Sequence, residues 1–223
     1  METKLSTGTA VMDWLLEGGY DKGIITTIYG PAGSGKTNLC LLCIANSVKG
    51  QKVIYVDTEA SFSITRFRQM CSDYKKVLEK IIFLKPTNFK EQKVAIEKLK
   101  SLIKKDIGII FVNSITMLYR AELGEEDNYG LNNSLASQVR TLLEIARKKD
   151  IPVIMTAQVY ADIEKKEGVR IVGGRIITNI SKTLVELEKS GANRIAVIRK
   201  HRSIEEGKKV MFRIVDEGIK EVK

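Results

Sequence analysis

Short apolar runs rich in Val, Ile, Tyr and Phe recur along this chain, and amphipathic helical patterns separate them. Such runs are typical of strands that are buried on both faces of a parallel sheet. The predicted strands are ITTIYG (25–30), KVIYVD (52–57), IIFL (81–84), IIFVN (109–113) and PVIMTAQ (152–158). Because strands alternate with helices, we expect right-handed βαβ crossovers and an α/β fold, with a mostly parallel twisted sheet covered by helices on both faces.

The pattern changes after Gly174. Three apolar runs then follow one another without a helical pattern between them, namely ISKTLVELEK, NRIAVIRK and KVMFRIVDE. We expect them to form antiparallel strands that extend one edge of the sheet. No repeat or linker interrupts the chain, so the sequence predicts a single domain over residues 1–223.

Composition narrows the class of protein. No apolar run reaches the roughly 18 residues that a transmembrane helix needs, and the start, METKLSTG, lacks the apolar core of a signal peptide. Three cysteines, an odd number, argue against a disulfide framework. Cys40 and Cys43 lie in the apolar stretch NLCLLCIA, which favours core positions over a metal site. We therefore expect a cytoplasmic protein without a membrane anchor.

The formal net charge of +10 suits an anionic partner but says nothing about the fold. Residues 62–105 hold twelve Lys or Arg against four Asp or Glu, and residues 170–223 hold thirteen against seven. In the first segment the lysines surround an amphipathic helical pattern, which is typical of a solvated helix face. The second segment is therefore the better candidate for a functional basic patch.

The stretch GPAGSGKT, residues 30–37, follows a predicted strand and opens a predicted helix. In that context glycines let backbone amides turn toward a phosphate, the lysine reaches the terminal phosphates, and the threonine hydroxyl can ligate magnesium. The alternative is a glycine-rich turn with a chance lysine, and the flanking strand and helix argue against it. The predicted nucleotide-binding residues are Gly30, Pro31, Ala32, Gly33, Ser34, Gly35, Lys36, Thr37 and Asn38.

DTEASF, residues 57–62, places two carboxylates just past the second predicted strand. Ligands bind at this edge of an open α/β sheet. Glu59 could there orient or deprotonate the water that attacks a terminal phosphate, a role worth ~10²–10⁴ in rate. Alternatively, Asp57 and Glu59 cap the segment that follows, but their position beside a phosphate loop favours the catalytic interpretation for Glu59.

The order of the motifs resembles that of the RecA/RadA recombinase superfamily, and most closely its short archaeal RadB branch. The resemblance rests on LSTGTAVMDWLLEGGYDKGIITTIYGPAGSGKTNL, DTEASF, SITMLYR, VIMTAQV, VGGRI and KHRSIEEG, and it covers nearly the whole chain. It implies a RecA-type P-loop ATPase core that uses ATP and Mg²⁺. It also implies a role as a DNA-binding accessory in homologous recombination and DNA repair.

The resemblance assigns roles to single residues. Lys36 and Thr37 would bind the triphosphate and magnesium, and Glu59 matches the hydrolytic glutamate. Arg66 matches an arginine that stacks on adenine. Gln158 matches a glutamine that senses the γ-phosphate and transmits its presence to a DNA-binding loop.

Two stretches are implied DNA contacts. Residues 159–172 occupy the position of the DNA loop, with Lys165, Lys166 and Arg170 as phosphate contacts and Tyr160 as a base-stacking ring. The run RKHR, which contains Arg199, Lys200, His201 and Arg202, could clamp DNA phosphates or reach an ATP held by a neighbouring subunit. The alternatives are a solvated loop and a charge cluster at a strand end.

The chain also departs from the recombinase pattern. It starts at the ATPase core, whereas RadA-type recombinases carry an additional N-terminal helical domain, and this difference argues against filament formation. The stretch AELGEEDNYG (121–130) has four carboxylates and no Lys or Arg where a second DNA loop would lie. Because carboxylates repel phosphates, strand exchange is not expected.

Asn113 ends a predicted strand where a carboxylate usually helps to hold magnesium. An amide can accept a hydrogen bond from a magnesium-bound water, but it brings no negative charge to the ion. Magnesium would then be held mainly by the phosphates of ATP and by Thr37. The sequence therefore predicts nucleotide binding with slow hydrolysis.

Three functions remain open on this basis. The first is a weak ATPase that binds DNA, with preference for single strands, and assists recombination together with a RadA recombinase or a Holliday-junction resolvase. The second is a nucleotide-sensing adaptor with negligible hydrolysis. The third is a KaiC-like signalling ATPase, against which the single glutamate of DTE argues. The resemblance also leaves a homo-oligomer open.

Overall fold

The computed structural model describes residues 4–47, 50–124, 128–161 and 169–222. The strands are β1 (Lys4–Leu5), β2 (Tyr20–Asp21), β3 (Ile25–Tyr29), β4 (Lys52–Asp57), β5 (Ile81–Leu84), β6 (Ile107–Asn113), β7 (Val153–Ala157), β8 (Val159–Ala161), β9 (Val169–Ile171), β10 (Thr183–Ser190), β11 (Asn193–Lys200), β12 (Lys209–Val215) and β13 (Gly218–Glu221). The helices are α1 (Ala10–Leu15), α2 (Lys36–Ser47), α3 (Ile64–Met70), α4 (Tyr74–Leu78), α5 (Phe89–Leu102), α6 (Met117–Ala121), α7 (Tyr129–Lys149) and α8 (Gly174–Ile180).

Nine of these strands form one twisted sheet in the order β13-β12-β11-β10-β3-β7-β6-β4-β5. The five strands predicted from the apolar runs, β3 to β7, are all parallel to their neighbours. The short antiparallel pair β1–β2, whose strands are separated by α1, and the hairpin β8–β9 lie outside this sheet. The predicted α/β class with a mostly parallel sheet is confirmed.

The C-terminal strands differ in one respect from the prediction. From β10 to β13, each strand pairs antiparallel with the next, as expected, and β11 to β13 extend one edge of the sheet. β10, however, runs parallel to β3. The short helix α8 returns the chain after the β8–β9 hairpin, so β10 enters the sheet as one more parallel strand before the antiparallel edge begins.

Each face of the sheet carries its own apolar core. One core joins α1, α2 and α3 to the sheet through residues such as Met12, Leu39 and Phe67. The other joins α5, α6, α7 and α8. Since helices cover both faces, the strands need no polar face, which explains their uninterrupted apolar sequence.

Helix α5 shows how the lysine-rich segment fits this arrangement. Its buried side is formed by Phe89, Gln92, Ile96 and Leu99, and its lysines are exposed. This is the solvated face that the pattern predicts. The thiols of Cys40 and Cys43 are buried in the core around α2. None of the helices in the described ranges is long and apolar enough to cross a bilayer.

Gln92 is a buried polar side chain that ties three elements together. Its Nε2 donates to the carbonyl of Ile115 at 3.1 Å and to Oε1 of Gln138 on α7 at 2.9 Å. We expect Gln92→Ala to lower the free energy of unfolding by about 2–4 kcal/mol, because it leaves both acceptors unpaired and opens a cavity. Lys93→Ala, on the exposed side of the same helix, should change it by less than about 0.5 kcal/mol. Chemical denaturation of both variants checks this, and equal stabilities would contradict it.

Candidate functional site

A cavity of about 550 Å³ lies at the carboxyl edge of the parallel strands. The loops after β3, β4, β6 and β7 meet here, because these strands are neighbours and point the same way. Its lining contains most of the predicted nucleotide residues together with Glu59 and Gln158, namely Gly30, Pro31, Ala32, Gly33, Gly35, Lys36, Thr37, Asn38, Arg66, Glu59 and Gln158. Ser34 and Asn113 are buried just behind this lining.

Backbone geometry makes the loop after β3 suited to an anion. Gly30 packs against β10 so closely that a Cβ there would lie 2.3 Å from the carbonyl oxygen of Leu187, so only glycine fits. Gly33 has a φ of +72°, which favours glycine as well. Helix α2 begins at Lys36, and the amides of its first turn have no partner within the helix. These amides and the helix dipole provide a phosphate cradle.

Lys36 already lies over this cradle. Its Nζ donates to the carbonyl oxygens of Gly30 at 2.7 Å and Pro31 at 2.9 Å, and the residue is only 9% exposed. Burial lowers the pKa of the ammonium, while the nearby Glu59 carboxylate opposes that effect. A phosphate would replace neutral carbonyl partners by charged oxygens, which form stronger hydrogen bonds.

Asn113 lies in the middle of a group of hydroxyls. Its Nδ2 is 3.1 Å from Oγ1 of Thr37, 3.0 Å from the hydroxyl of Tyr55 and 2.7 Å from Oγ of Ser61. Its Oδ1 accepts from the hydroxyl of Thr156. The amide therefore contacts the threonine predicted to ligate magnesium, but it supplies two N–H donors to three oxygens and no charge.

The same surroundings decide how well the site fits a divalent cation. No group of three or more His, Cys, Asp or Glu that could hold a metal occurs in the part of the chain that the structure describes. Thr37 Oγ1 is the side-chain oxygen at the start of α2, and Asn113 stands behind it. This donor set fits a magnesium ion that is bound mainly through phosphate oxygens, with Thr37 as its protein ligand.

The two carboxylates after β4 have different roles. Asp57 accepts from the backbone amides of Ser61 at 3.1 Å and Phe62 at 3.2 Å, so it caps the segment that follows. Glu59 instead reaches the cavity, where its Oε1 accepts from Nε2 of Gln158 at 3.0 Å. The capping alternative thus describes Asp57, whereas Glu59 lines the cavity, and its role in activating water stays a prediction.

Gln158 connects the cavity with two further elements. Its backbone amide donates to Oγ1 of Thr116 at 2.9 Å, just before α6, and its side chain also contacts the sulfur of Met117 at 3.3 Å. Its carbonyl accepts from the amide of Val172 at 2.9 Å, beyond hairpin β8–β9. A movement of Gln158 would therefore alter its contacts with both α6 and the hairpin.

Arg66 lines the end of the cavity that faces the turn between β12 and β13. Its Nε donates to Oδ1 of Asn38 at 2.9 Å, and its terminal nitrogens donate to Gln69 and to the carbonyls of Val215, Asp216 and Gly218. All five of its N–H donors are thereby engaged, so only the flat face of the guanidinium is left to contact a ligand. This face is what stacking on a base would use, and the stacking itself stays a prediction.

Hairpin β8–β9 follows Gln158 in the position of the predicted DNA loop. Tyr160 and Arg170 are direct cross-strand partners on this hairpin, and both are exposed. An aromatic ring and a guanidinium thus project from the same side of a two-stranded ribbon. Lys165 and Lys166, the other predicted contacts in this loop, lie outside the described residues.

The RKHR run is less open than the sequence suggests. Arg199 pairs with Glu186 at 2.6 Å and Glu188 at 2.9 Å, and Lys200 donates to the carbonyl of Thr178 at 2.7 Å. Arg202 lies 3.7 Å from the Asp21 carboxylate. These contacts compete with binding of an outside phosphate, so DNA contact by the three cations stays a prediction.

His201 corrects the prediction. Its side chain is 1% exposed, with Nε2 3.0 Å from Oδ2 of Asp21. Nδ1 accepts from the amides of Ser203 at 3.1 Å and Ile204 at 3.2 Å. Burial lowers the pKa of the imidazole, although the Asp21 carboxylate opposes this effect. It joins the end of β11 to β2 and is not available as a phosphate contact.

The residues in the cavity that the sequence reasoning missed include Ser61, Arg120 and Ile214. Ser61 lies within the DTEASF motif, and Arg120 lies within SITMLYR, but neither motif showed by itself which side chains face the cavity. Ile214 comes from β12, far along the chain, and local sequence carries no signal for it.

Comparisons with known proteins agree on one family. The Rad51 family model matches residues 2–222. The DNA repair and recombination protein RadB of Methanococcoides burtonii is 40% identical over 99% of this chain and 99% of its own length. The corresponding protein of Methanocaldococcus jannaschii is 44% identical over 92% of this chain and 96% of its own. A crystal structure described as the RadB recombinase is 37% identical and superposes with a TM-score of 0.85, covering 98% of this chain and all of that one.

Sequence and structure thus give the same classification over nearly the full length. Members of this family share an ATPase core that uses a nucleotide and magnesium, and the cavity built from the loop after β3 is in the matching place. The chain therefore belongs to the Rad51 family, and within it to the RadB proteins.

Proposed function

We propose that this protein binds ATP with Mg²⁺, hydrolyses it slowly, and uses the nucleotide state to control binding to DNA as an accessory in recombination and repair. One observation carries the proposal. The cavity that contains Lys36 and Thr37 also contains Glu59, and Glu59 is hydrogen-bonded to Gln158, which leads directly into hairpin β8–β9. The names of the similar proteins, which refer to DNA repair and recombination, support the biological context.

The residues of the cavity divide the chemistry between them. The amides at the start of α2 and Lys36 bind the phosphates, and Mg²⁺, when bound, neutralises part of the charge on the terminal phosphates. Glu59 holds and deprotonates the attacking water. Gln158 keeps the Glu59 carboxylate in place in the present structure and is released from it when a γ-phosphate offers its own oxygen as acceptor.

Asn113 supports slow hydrolysis. A carboxylate at this position would attract the metal and accept a hydrogen bond from the Thr37 hydroxyl. The amide donates toward that hydroxyl instead and adds no negative charge. Because charge stabilisation at the metal is a main source of the rate, the site favours binding over turnover.

The amide at Asn113 also favours a second candidate function, a nucleotide-sensing adaptor with negligible hydrolysis. Such an adaptor would bind other recombination proteins, such as a RadA recombinase or a Holliday-junction resolvase. Turnover of ATP measured with and without single-stranded DNA separates the two. Stimulation by DNA supports the ATPase, and turnover at the background rate in both samples supports the adaptor.

Glu59→Gln should keep ATP binding and lose hydrolysis by ~10²–10⁴, because it removes the base and leaves the size of the side chain unchanged. Glu97→Gln, the same change on the exposed side of α5, is the control. Binding is measured by nucleotide titration and turnover by phosphate release. A Glu59→Gln variant that turns over at the parent rate would return Glu59 to a structural role.

Asn113→Asp should raise steady-state turnover and lower the magnesium concentration for half-maximal rate by roughly 10-fold, as changes beside a metal ligand do. Stability should hold, because the hydroxyls of Tyr55, Ser61 and Thr156 can all donate to the new carboxylate. Asn113→Ala, which adds no charge, should give no gain. A magnesium titration of the three proteins checks this, and equal curves would show that another step limits the rate.

Tyr160→Ala and Arg170→Ala should weaken binding of single-stranded DNA in different ways. Loss of the Arg170 contact reduces the slope of log affinity against log salt by about 0.7, whereas loss of the Tyr160 ring lowers affinity without changing the slope. Lys98→Ala on α5 is the charge-matched control. Fluorescence anisotropy over a salt series, with ATP and with ADP, gives both quantities. Unchanged curves for both variants would exclude the hairpin from the DNA interface.

A further inference from the structure

Arg120 lines the nucleotide cavity, and nothing in the proposed mechanism uses it. It lies in the last turn of the short helix α6, its side chain is exposed, and it shares the cavity with Lys36, Glu59 and Gln158. Within the described ranges its guanidinium has no hydrogen-bond or ion-pair partner. Other arginines near the phosphate loop are engaged, since Arg66 is held by the C-terminal strands and Arg194 donates to the carbonyl of Gly33 at 3.1 Å.

Helix α6 fixes where Arg120 can reach. The helix begins beside Gln158, whose amide donates to Thr116 and whose side chain contacts the sulfur of Met117. Leu118 and Tyr119 are buried and hold the helix against the core. Arg120 is one helical turn beyond Met117 and so lies on the same face. It is therefore placed at the Glu59 and Gln158 end of the cavity, where the terminal phosphate would lie, and not at the Arg66 end.

The charges in the cavity indicate what a cation at the position of Arg120 would do. A triphosphate is strongly negative, and Asn113 weakens the hold of the protein on the metal that would offset this charge. Lys36 is a single point charge at the loop. Arginine is always protonated and presents a planar set of donors that matches phosphate oxygens in pairs, so an unpaired guanidinium here is well suited to take up the remaining charge.

We propose that Arg120 is a second cation for the terminal phosphate, which makes the site prefer ATP to ADP and makes nucleotide binding less dependent on magnesium. This inference rests on the proposed nucleotide site. It adds that the preference for the triphosphate comes from α6, an element outside the phosphate loop. Because α6 is bonded to Gln158, contact of Arg120 with a terminal phosphate also positions the helix relative to the β8–β9 hairpin.

The test compares affinities for ATP and ADP, by competition with a fluorescent nucleotide, in magnesium and in EDTA. Arg120→Ala should lose roughly 10- to 100-fold in ATP affinity, with the larger loss in EDTA, and less than about twofold in ADP affinity, as expected for a charged hydrogen bond to one phosphate. Arg120→Lys should recover part of the loss. Arg140→Ala, an exposed arginine on α7 outside the cavity, should bind both nucleotides as the parent does, and melting temperatures confirm that the variants are folded.

The outcomes separate this inference from the proposed function. Lys36→Ala should lose both nucleotides, and if it binds them normally the nucleotide site itself is wrong. If Lys36→Ala behaves as expected while Arg120→Ala keeps the parent ratio of ATP to ADP affinity, the role of Arg120 is refuted and the site stands. An unchanged ratio together with weaker binding of single-stranded DNA by Arg120→Ala would also refute it, and would make Arg120 a DNA contact instead.

Discussion

The parallel register of β4, β6, β7 and β3 is the constraint on which the rest of the structure depends. These four strands are adjacent, and their pairings place Asp57 opposite Asn113 and Tyr29 opposite Ala157. The residues that follow each strand therefore leave the sheet at one edge. Lys36, Glu59, Asn113 and Gln158 are far apart in sequence, and only this register brings them around one cavity. A parallel sheet needs both faces covered, which is why so much of the chain consists of apolar strands and amphipathic helices.

At this edge, the Asn113 amide determines which groups donate and which accept hydrogen bonds, and it adds no charge. Asn113 sits among hydroxyls that would suit a carboxylate equally well, because each hydroxyl can donate or accept. The Asn113 amide forms hydrogen bonds with the surrounding hydroxyls, so the fold does not depend on a negative charge at this position. The proposed magnesium site, in contrast, has one negative charge fewer than it would have with a carboxylate. A site can in this way retain the architecture for binding nucleotide while losing part of the electrostatics that drive hydrolysis, and the two properties are separated at a single residue.

The sequence predicted the central elements well, because long apolar runs, a phosphate-loop motif and a helical lysine pattern each have one dominant physical cause. It failed where tertiary contacts decide. The local sequence around His201 looks like an exposed basic cluster. Its burial depends on Asp21 of β2, which is 180 positions away in the chain. β10 pairs antiparallel with β11 as predicted, but its sequence did not show that its other neighbour is the parallel strand β3. Arg120 and Ile214 face the cavity because of how α6 and β12 pack, which no spacing rule shows.

The C-terminal strands form one wall of the cavity and do not merely extend the sheet. Arg66 donates to three carbonyls around the turn between β12 and β13, and Asn38 of α2 donates to the carbonyl of Gly218. Ile214 completes the wall. Arg66 thus takes its orientation from the edge of the sheet, whose strand β12 also contributes Val210 and Phe212 to the core beside α1 and α2. A ligand that binds to the face of Arg66 therefore stabilises the ordered conformation of this sheet edge. Because linkage is reciprocal, a change that destabilises the edge weakens binding of that ligand by the same free energy. If the proposed nucleotide stacks on Arg66, its affinity is tied to the order of the last strands as well as to the phosphate loop.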